Sequence, residues 1–366
     1  MQLLEGLCRS GMNVQRDASC VADGSGRLER CYAGLRSSIR GLDQMLASVC
    51  LGAVGEPRSL LIFLFHSLFR DGDEARAGVV DPQQSITVDM LRRFVSHFLE
   101  HSYRFVSPAD IVKGLDSRGR NVLITFDDGY YNNLRALPVL EEFGVPAVFF
   151  VSSDHIEKGK AFWWDVVFRE FRKRHRTDPE IRDAIAGYKR LTTAAVESDL
   201  RLQFGDAALS PVADLDRPFR VAELEEFAKH PLVFMGNHTK DHAILTNYSD
   251  AEARKQISDG QKDIFEMTGK MPEMIAYPNG KFSPAIQAAA WDAGLRLGVG
   301  VCPGKNRVPL QVDTGRAMEM KRFTLWGDAE IEMQCRISRS SLSLYRSFRD
   351  IRTRIDAGLP SVMRSD

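Results

Sequence analysis

From residue 59 onward the chain alternates short apolar runs with longer amphipathic stretches, and this rhythm constrains the fold more than any other property. Leu60–Phe65 reads as a buried strand: it is too short for a helix face and rich in residues that suit a sheet. Val88–His101 reads as a helix capped by Thr87, Tyr103–Val106 as a short strand, and Ser107-Pro108-Ala109-Asp110 as the start of another helix. Val122–Phe126 and Ala147–Val151 read as strands on either side of a helix over Asn132–Phe143 that Gly144 stops. The alternation resumes with a helix at Val221–Lys229 and a strand at Leu232–Met235. Helices at Ser249–Thr268 and Ser283–Ala293, closed by Gly269 and Gly294, lead into strands at Met274–Tyr277 and Leu297–Val301. Strands alternating with helices imply a largely parallel sheet with helices outside it, an α/β fold. Such a sheet can stay open or close partly or fully into a β/α barrel.

The 366 residues, 44% of them hydrophobic, suffice for a sizeable core. Lys and Arg total 49, as do Asp and Glu, so no global basic field argues for nucleic acid as a partner. Cys8, Cys20, Cys31, Cys50, Cys302 and Cys335 form no Cys-x-x-Cys pair, and Met1–Ser10 lacks a basic-then-apolar secretory start. The expectation is a cytoplasmic protein with reduced thiols. Its most apolar segment, Ser59–Phe65, is too short to span a bilayer, which leaves room only for peripheral membrane contact. Three regions follow: an N-terminal, partly helical extension over 1–55, an α/β domain over 56–330, and a basic C-terminal tail over 331–366. Residues 155–220 interrupt the alternation with charged helical sequence opening on Phe162-Trp163-Trp164-Asp165. This insertion reads either as a solvated helical pair anchored by its tryptophans or as a wall for substrate.

Within that frame, Thr125-Phe126-Asp127-Asp128-Gly129 follows the strand Val122–Phe126. Adjacent carboxylates resist ionisation together unless a positive charge lies near, which calls for a cation. His238-Thr239-Lys240-Asp241-His242 follows another strand, and histidines at i and i+4 share one face of a helical turn. Asp128 with His238 and His242 makes a two-histidine, one-carboxylate set that suits zinc, with cobalt, nickel or manganese as alternatives. Asp127, next to the ion but not required by it, is placed to act as general base. After a third strand, Ala276-Tyr277-Pro278-Asn279-Gly280-Lys281 makes a tight turn whose exposed N–H groups suit an oxyanion. Tyr130, just past the paired aspartates, and Tyr277 and Pro278 are expected against substrate. Asn132 is the expected cap of the following helix.

These runs resemble the motifs of the polysaccharide deacetylases, the NodB-homology family, over about residues 59–327. The first motif, Thr-Phe-Asp-Asp-Gly, is intact, and the second appears as His238-Thr239-Lys240-Asp241-His242. The third, Arg-x-Pro-Tyr/Phe-Gly, survives only as Ala276–Gly280. The resemblance implies an irregular barrel of about seven β/α units. It also implies metal held by Asp128, His238 and His242, Asp127 as base, and the Asn279 N–H as oxyanion donor. The implied reaction is hydrolysis of an N-acetyl group from an amino sugar or glycan, nucleotide- or lipid-linked if the protein is cytoplasmic.

The chain departs from the family twice. Ala276 stands where the arginine that orients the base belongs, and no histidine follows His242 to act as general acid. His66, at the end of the first strand, fills the second gap by resemblance to poly-glucosamine deacetylases whose motif order looks permuted. The remaining histidines, His97, His101, His155, His175 and His230, are expected on the surface. O-deacetylation or deformylation of a sugar fits the same chemistry, and a non-catalytic glycan-binding scaffold would account for the two gaps.

Overall fold

The structure is a computed structural model that describes residues 42–53, 55–312 and 315–340. Ala47–Leu342 form one compact unit; the other gathers Met1–Leu46 and Ser343–Asp366, of which only the helical residues 42–46 are among those described. The rest of the expected N-terminal extension, and the tail beyond Ser340, lie outside the described residues.

The strands are β1 (Ser59–Phe65), β2 (Arg104–Phe105), β3 (Arg120–Phe126), β4 (Ala147–Val151), β5 (Val233–Asn237), β6 (Met274–Ala276), β7 (Leu297–Val299), β8 (Asn306–Arg307) and β9 (Phe323–Thr324). They form one sheet in the order β7-β6-β5-β4-β3-β1, all parallel. Beyond β1 the edge is shared: β8 pairs antiparallel with Ser59–Leu60, and β9 pairs parallel with Phe63–Leu64. Just before β9, Met320 bridges Val299 in parallel: its N–H donates to Gly298 O at 2.8 Å, and its carbonyl accepts from Gly300 at 3.0 Å. The segment 320–324 therefore touches β7 at one end and β1 at the other. This joins the two sheet edges, and the α/β fold is a parallel half-barrel wrapped by helices.

Alternation along the strands sorts side chains into two layers. Leu60, Ile62, Leu123, Val148, Phe150, Met274, Ala276, Leu297 and Val299 fill the inside. Phe63, Phe65, Ile124, Phe126 and Phe149 face outward, Phe149 against Phe227, and Phe63 and Phe65 against the helix Val88–Glu100. There Phe94 lies 4.8 Å from Phe63, 5.4 Å from Phe65 and 5.1 Å from Phe98, ring centre to ring centre. Truncating it to alanine should cost about 3–5 kcal/mol. Thr125 and Asp127 have the inward parity of Leu123, and His66 that of Leu60 and Ile62, so the inner layer carries the polar groups at the strand ends.

Three local expectations change. The helix expected over Asn132–Phe143 is a 3₁₀ turn, Tyr131–Ala136, followed by an α-helix, Leu137–Phe143. Pro138 has no N–H for the carbonyl of Leu134, so the hydrogen-bond pattern changes there. Asn132 does not cap this helix; its amide accepts from Leu68 N–H at 2.8 Å and donates to Leu215 O at 3.0 Å. The first residues of the expected tail are a packed helix, Ile331–Arg339, with Ile331 and Cys335 buried and Glu332 gripped by Arg93.

The insertion holds three helices, Trp163–Lys173, Asp178–Tyr188 and Thr193–Phe204, with an apolar core of their own. Its first turn packs Trp163 and Trp164 inward, and both are nearly buried.

Candidate active site

The carboxyl ends of β3 and β5 put four side chains together. Asp127 and Asp128 follow β3, while His238 and His242 follow β5. His238 Nε2 lies 3.4 Å and His242 Nε2 3.3 Å from Asp128 Oδ1, and all three groups are buried or nearly so. An ion about 2.1 Å from each of two ligands at the tetrahedral angle separates them by about 3.4 Å, so the spacing fits a first-row divalent metal. The other Asp128 oxygen, Oδ2, is buried and has no hydrogen-bond partner among the described residues, which an ion would supply. His238 Nδ1–H donates to the carbonyl of Ala276 at 2.7 Å, leaving the Nε2 lone pair toward the site. Ala276, where the third motif loses its arginine, thus holds His238 through its backbone.

The backbone under these ligands is unusual. Asp128 has φ 77°, Thr239 66° and His242 55°, all left-handed. The histidines do not lie on a helical turn as their spacing suggests; residues 238–244 are a loop. Two left-handed residues fold this loop back so that both rings reach Asp128, at a strain of about 1–3 kcal/mol each. The surroundings hold it: Thr239 N–H donates to Asn237 Oδ1 at 2.8 Å, Lys240 N–H to Gln256 O at 2.9 Å, and Ala243 N–H to Thr239 Oγ1 at 2.9 Å. Gly129, at φ 89°, leaves no room for a Cβ, which would sit 3.0 Å from Val151 Cγ1.

Asp127 is clamped from a direction the motifs do not announce. Arg322, fully buried inside the half-barrel, donates from Nη1 to Asp127 Oδ1 at 2.6 Å and from Nη2 to Oδ2 at 2.8 Å. Its Nε–H is held by Gly300 O at 2.8 Å and Nη1 also reaches Thr125 Oγ1 at 3.2 Å. Burial pushes the Asp127 carboxyl up, but Arg322 and His238 outweigh it and hold it below the usual carboxylate range. Burial likewise opposes ionisation of Asp128, and the adjoining imidazoles of His238 and His242 outweigh it, leaving its pKa well below the usual value. Both aspartates are therefore ionised at neutral pH. An arginine thus pairs with Asp127 from a position 46 residues beyond Ala276, one residue before β9. The sequence signal was faint: Arg322 sits in the mixed run Met318–Leu325 beside Glu319 and Lys321, and nothing there marks it as the buried charge.

His66 follows β1, and the Phe65–Phe126 register sets it beside Asp127, whose N–H donates to Phe65 O at 2.9 Å. Asn279 sits at φ 56° in the turn after β6, half-buried. The next residue must be glycine: a Cβ on Gly280 would lie 2.5 Å from Val301 Cγ2. Pro278 is buried in the same turn. Tyr277 is fully buried on the outer side of β6, packed on Phe282, with its hydroxyl against Gly298. Tyr130 is buried too: its hydroxyl donates to Asp165 Oδ2 at 2.6 Å and accepts from Trp164 Nε1 at 2.8 Å. Trp164 in turn packs its ring 4.5 Å from that of His242. The insertion is therefore joined to the Asp128–His238–His242 cluster through Tyr130 and Trp164. Two histidines expected on the surface are buried: His155 stacks on Phe162 at 4.3 Å, and His97 accepts from Arg339 Nη1 at 3.1 Å.

The sequence profile of the polysaccharide deacetylases matches residues 115–298. YxkH of Bacillus subtilis (strain 168), assigned by name to the polysaccharide deacetylases, is 22% identical over 254 residues, covering 68% of this chain and 67% of that protein. Among solved structures, the Streptococcus pyogenes deacetylase PplD in complex with acetate superposes with a TM-score of 0.51 at 15% identity, over 76% of this chain and 96% of that one. A polysaccharide deacetylase from Bacillus cereus superposes with a TM-score of 0.52 at 13% identity, over 78% and 70%. At these identities the likeness establishes the fold.

Proposed function

The chain belongs to the polysaccharide deacetylase family, and on that premise we propose that it is a metal-dependent N-deacetylase of an amino sugar or glycan. One observation carries the reading: Asp128, His238 and His242 converge beside an aspartate that a buried arginine keeps ionised. A divalent ion held by these three residues supplies polarisation of the acetyl carbonyl and of water. Asp127 takes the proton from the attacking water, and Arg322 keeps its carboxylate oriented and charged until then. The Asn279 N–H donates to the oxygen that gains charge as the water adds. The C–N bond then breaks, acetate forms, and His66 gives its Nε2 proton to the departing amine. Tyr130, Tyr277 and Pro278 are buried and do not face substrate as expected; Tyr130 serves the site indirectly, through Trp164 packed on His242.

A glycan-binding scaffold with a retired site has little support, because Arg322 restores the charge partner whose loss motivated that reading. The test is acetate release by the zinc- or cobalt-loaded protein from N-acetylated and O-acetylated glucosamine oligomers. Release from the N-acetylated set is expected. Acetate from the O-acetylated set alone would replace this reading with an esterase.

A further inference from the structure

His66 is held as tightly as the metal ligands are, by a residue outside every motif. Gln84 lies in the loop before the helix Val88–Glu100 and is nearly buried. Its Nε2 donates to Leu64 O at 2.7 Å and to Leu325 O at 3.3 Å. Both partners are carbonyls, which only accept, so the amide can face only one way. Its Oε1 then meets His66 Nδ1 at 2.9 Å, and since an amide oxygen cannot donate, the proton is on Nδ1. The His66 carbonyl is fixed as well, by Asn133 Nδ2 at 2.8 Å.

The backbone delivers Gln84 at some cost. Gln83 and Ser85, on either side, have φ 45° and 55°, both left-handed. The Gln84 carbonyl accepts from Gly327 N–H at 2.7 Å, and a Cβ on Gly327 would fall 2.1 Å from Ser85 O. The loop is thus pressed onto the end of β9, with Gln84 spanning the ends of β1 and β9.

We propose that Gln84 is a positioning residue that fixes His66 as its Nδ1–H tautomer, so that Nε2 is always the nitrogen that carries and delivers the proton. This rests on the reading of His66 as general acid. The cationic ring carries a proton on each nitrogen. Passing the Nε2 proton to the leaving amine leaves the neutral ring with hydrogen on Nδ1, the form Gln84 accepts. Solvent then reprotonates Nε2, and no tautomer exchange intervenes between turnovers. The Ala276 carbonyl does the same for His238.

The experiment compares Gln84→Leu with Gln84→Glu in the full-length protein. It uses nitrogen–proton correlation NMR of the imidazoles together with kcat and KM for acetate release. Leucine fills the volume but offers no acceptor. The Nε2–H tautomer of His66 should then appear, and kcat should fall roughly ten- to a hundredfold with KM little changed. Glutamate returns an oxygen to Nδ1, so Nδ1–H should persist and kcat recover above the leucine variant. A merely structural Gln84 predicts the opposite order, because a carboxyl against two carbonyls packs worse than leucine. An unchanged tautomer in Gln84→Leu overturns the proposal. Undiminished activity in His66→Ala would instead remove His66 as acid, and the NMR result would still judge Gln84.

Discussion

Asp127 and Asp216 have nearly the same chemistry around them in two parts of the molecule. Each is a buried carboxylate gripped by a buried arginine: Arg322 at the strand ends, Arg169 in the insertion, whose Nη1 donates to Asp216 Oδ2 at 2.7 Å. The difference lies in what else each carboxylate meets. Asp216 also accepts from Val212 N–H at 3.0 Å and Ala213 N–H at 2.8 Å, so neighbouring backbone donors and Arg169 fill its acceptor sites. Asp127 meets Arg322 on one side and has His238 Nε2 4.0 Å from Oδ2 on the other. One ion pair closes a loop, while the other leaves a charged oxygen beside the imidazole of His238. A buried pair is weak evidence of function until the remaining lone pairs are counted.

Exchanging the two roles should give the widest separation. Asp127→Asn should lower kcat by about 10²–10⁴ with little change in thermal midpoint. Asp216→Asn should lower the midpoint and leave kcat of the folded fraction near wild type. If both variants move both readouts alike, the distinction between the pairs is lost. Next, Arg169→Leu strands the buried Asp216 charge and should cost about 3–5 kcal/mol in denaturant unfolding. Arg322→Lys keeps a charge but loses the fork, and should lower kcat by roughly ten- to a hundredfold while metal content stays at wild type. A smaller effect is expected at Trp164, whose ring packs on His242. Trp164→Leu should weaken metal retention against a chelator, with zinc release as the readout, and equal release rates would detach the insertion from the site.

The smallest effect concerns pH and a group far from the chemistry. Burial, then the charges of His101 and Arg339, lowers the His97 pKa from 6.5 to about 4. The folded state therefore favours neutral His97, and this contribution is complete above pH 6.5 and lost as pH falls toward 4. Thermal stability should decline across that window, and His97→Gln should flatten the decline; an unchanged slope would show that other groups set it.

The convergence of Asp128, His238 and His242 was legible because each pair of residues follows its own strand. Asp127-Asp128 and His238/His242 each follow an apolar run that could only be a strand, and strand ends in such folds share one face. The β/α alternation gave the topology for the same reason, since each element buries its own periodic face. What escaped the sequence was recruited across distance. Arg322 immediately precedes a two-residue strand too short to show periodicity, and Gln84 lies in a loop held by side-chain bonds. Both fall outside residues 115–298, the span that matches the family. His66, also outside that span, was reached only through the resemblance. The left-handed loop at His238–His242 and the turn at Pro138 failed for another reason: tertiary contacts overrode a helical spacing. Tyr277 looked available because its turn is exposed, yet strand parity directs its ring outward into the helical layer.

Metal uptake tests the division of labour between the paired aspartates most directly. Wild type, Asp127→Asn and Asp128→Asn are stripped with chelator and titrated with zinc, with bound metal measured per chain. The account predicts stoichiometric binding in wild type and in Asp127→Asn, and severely weakened binding in Asp128→Asn. A wild type that takes up no ion, or an Asp127→Asn that loses it while Asp128→Asn keeps it, would contradict it.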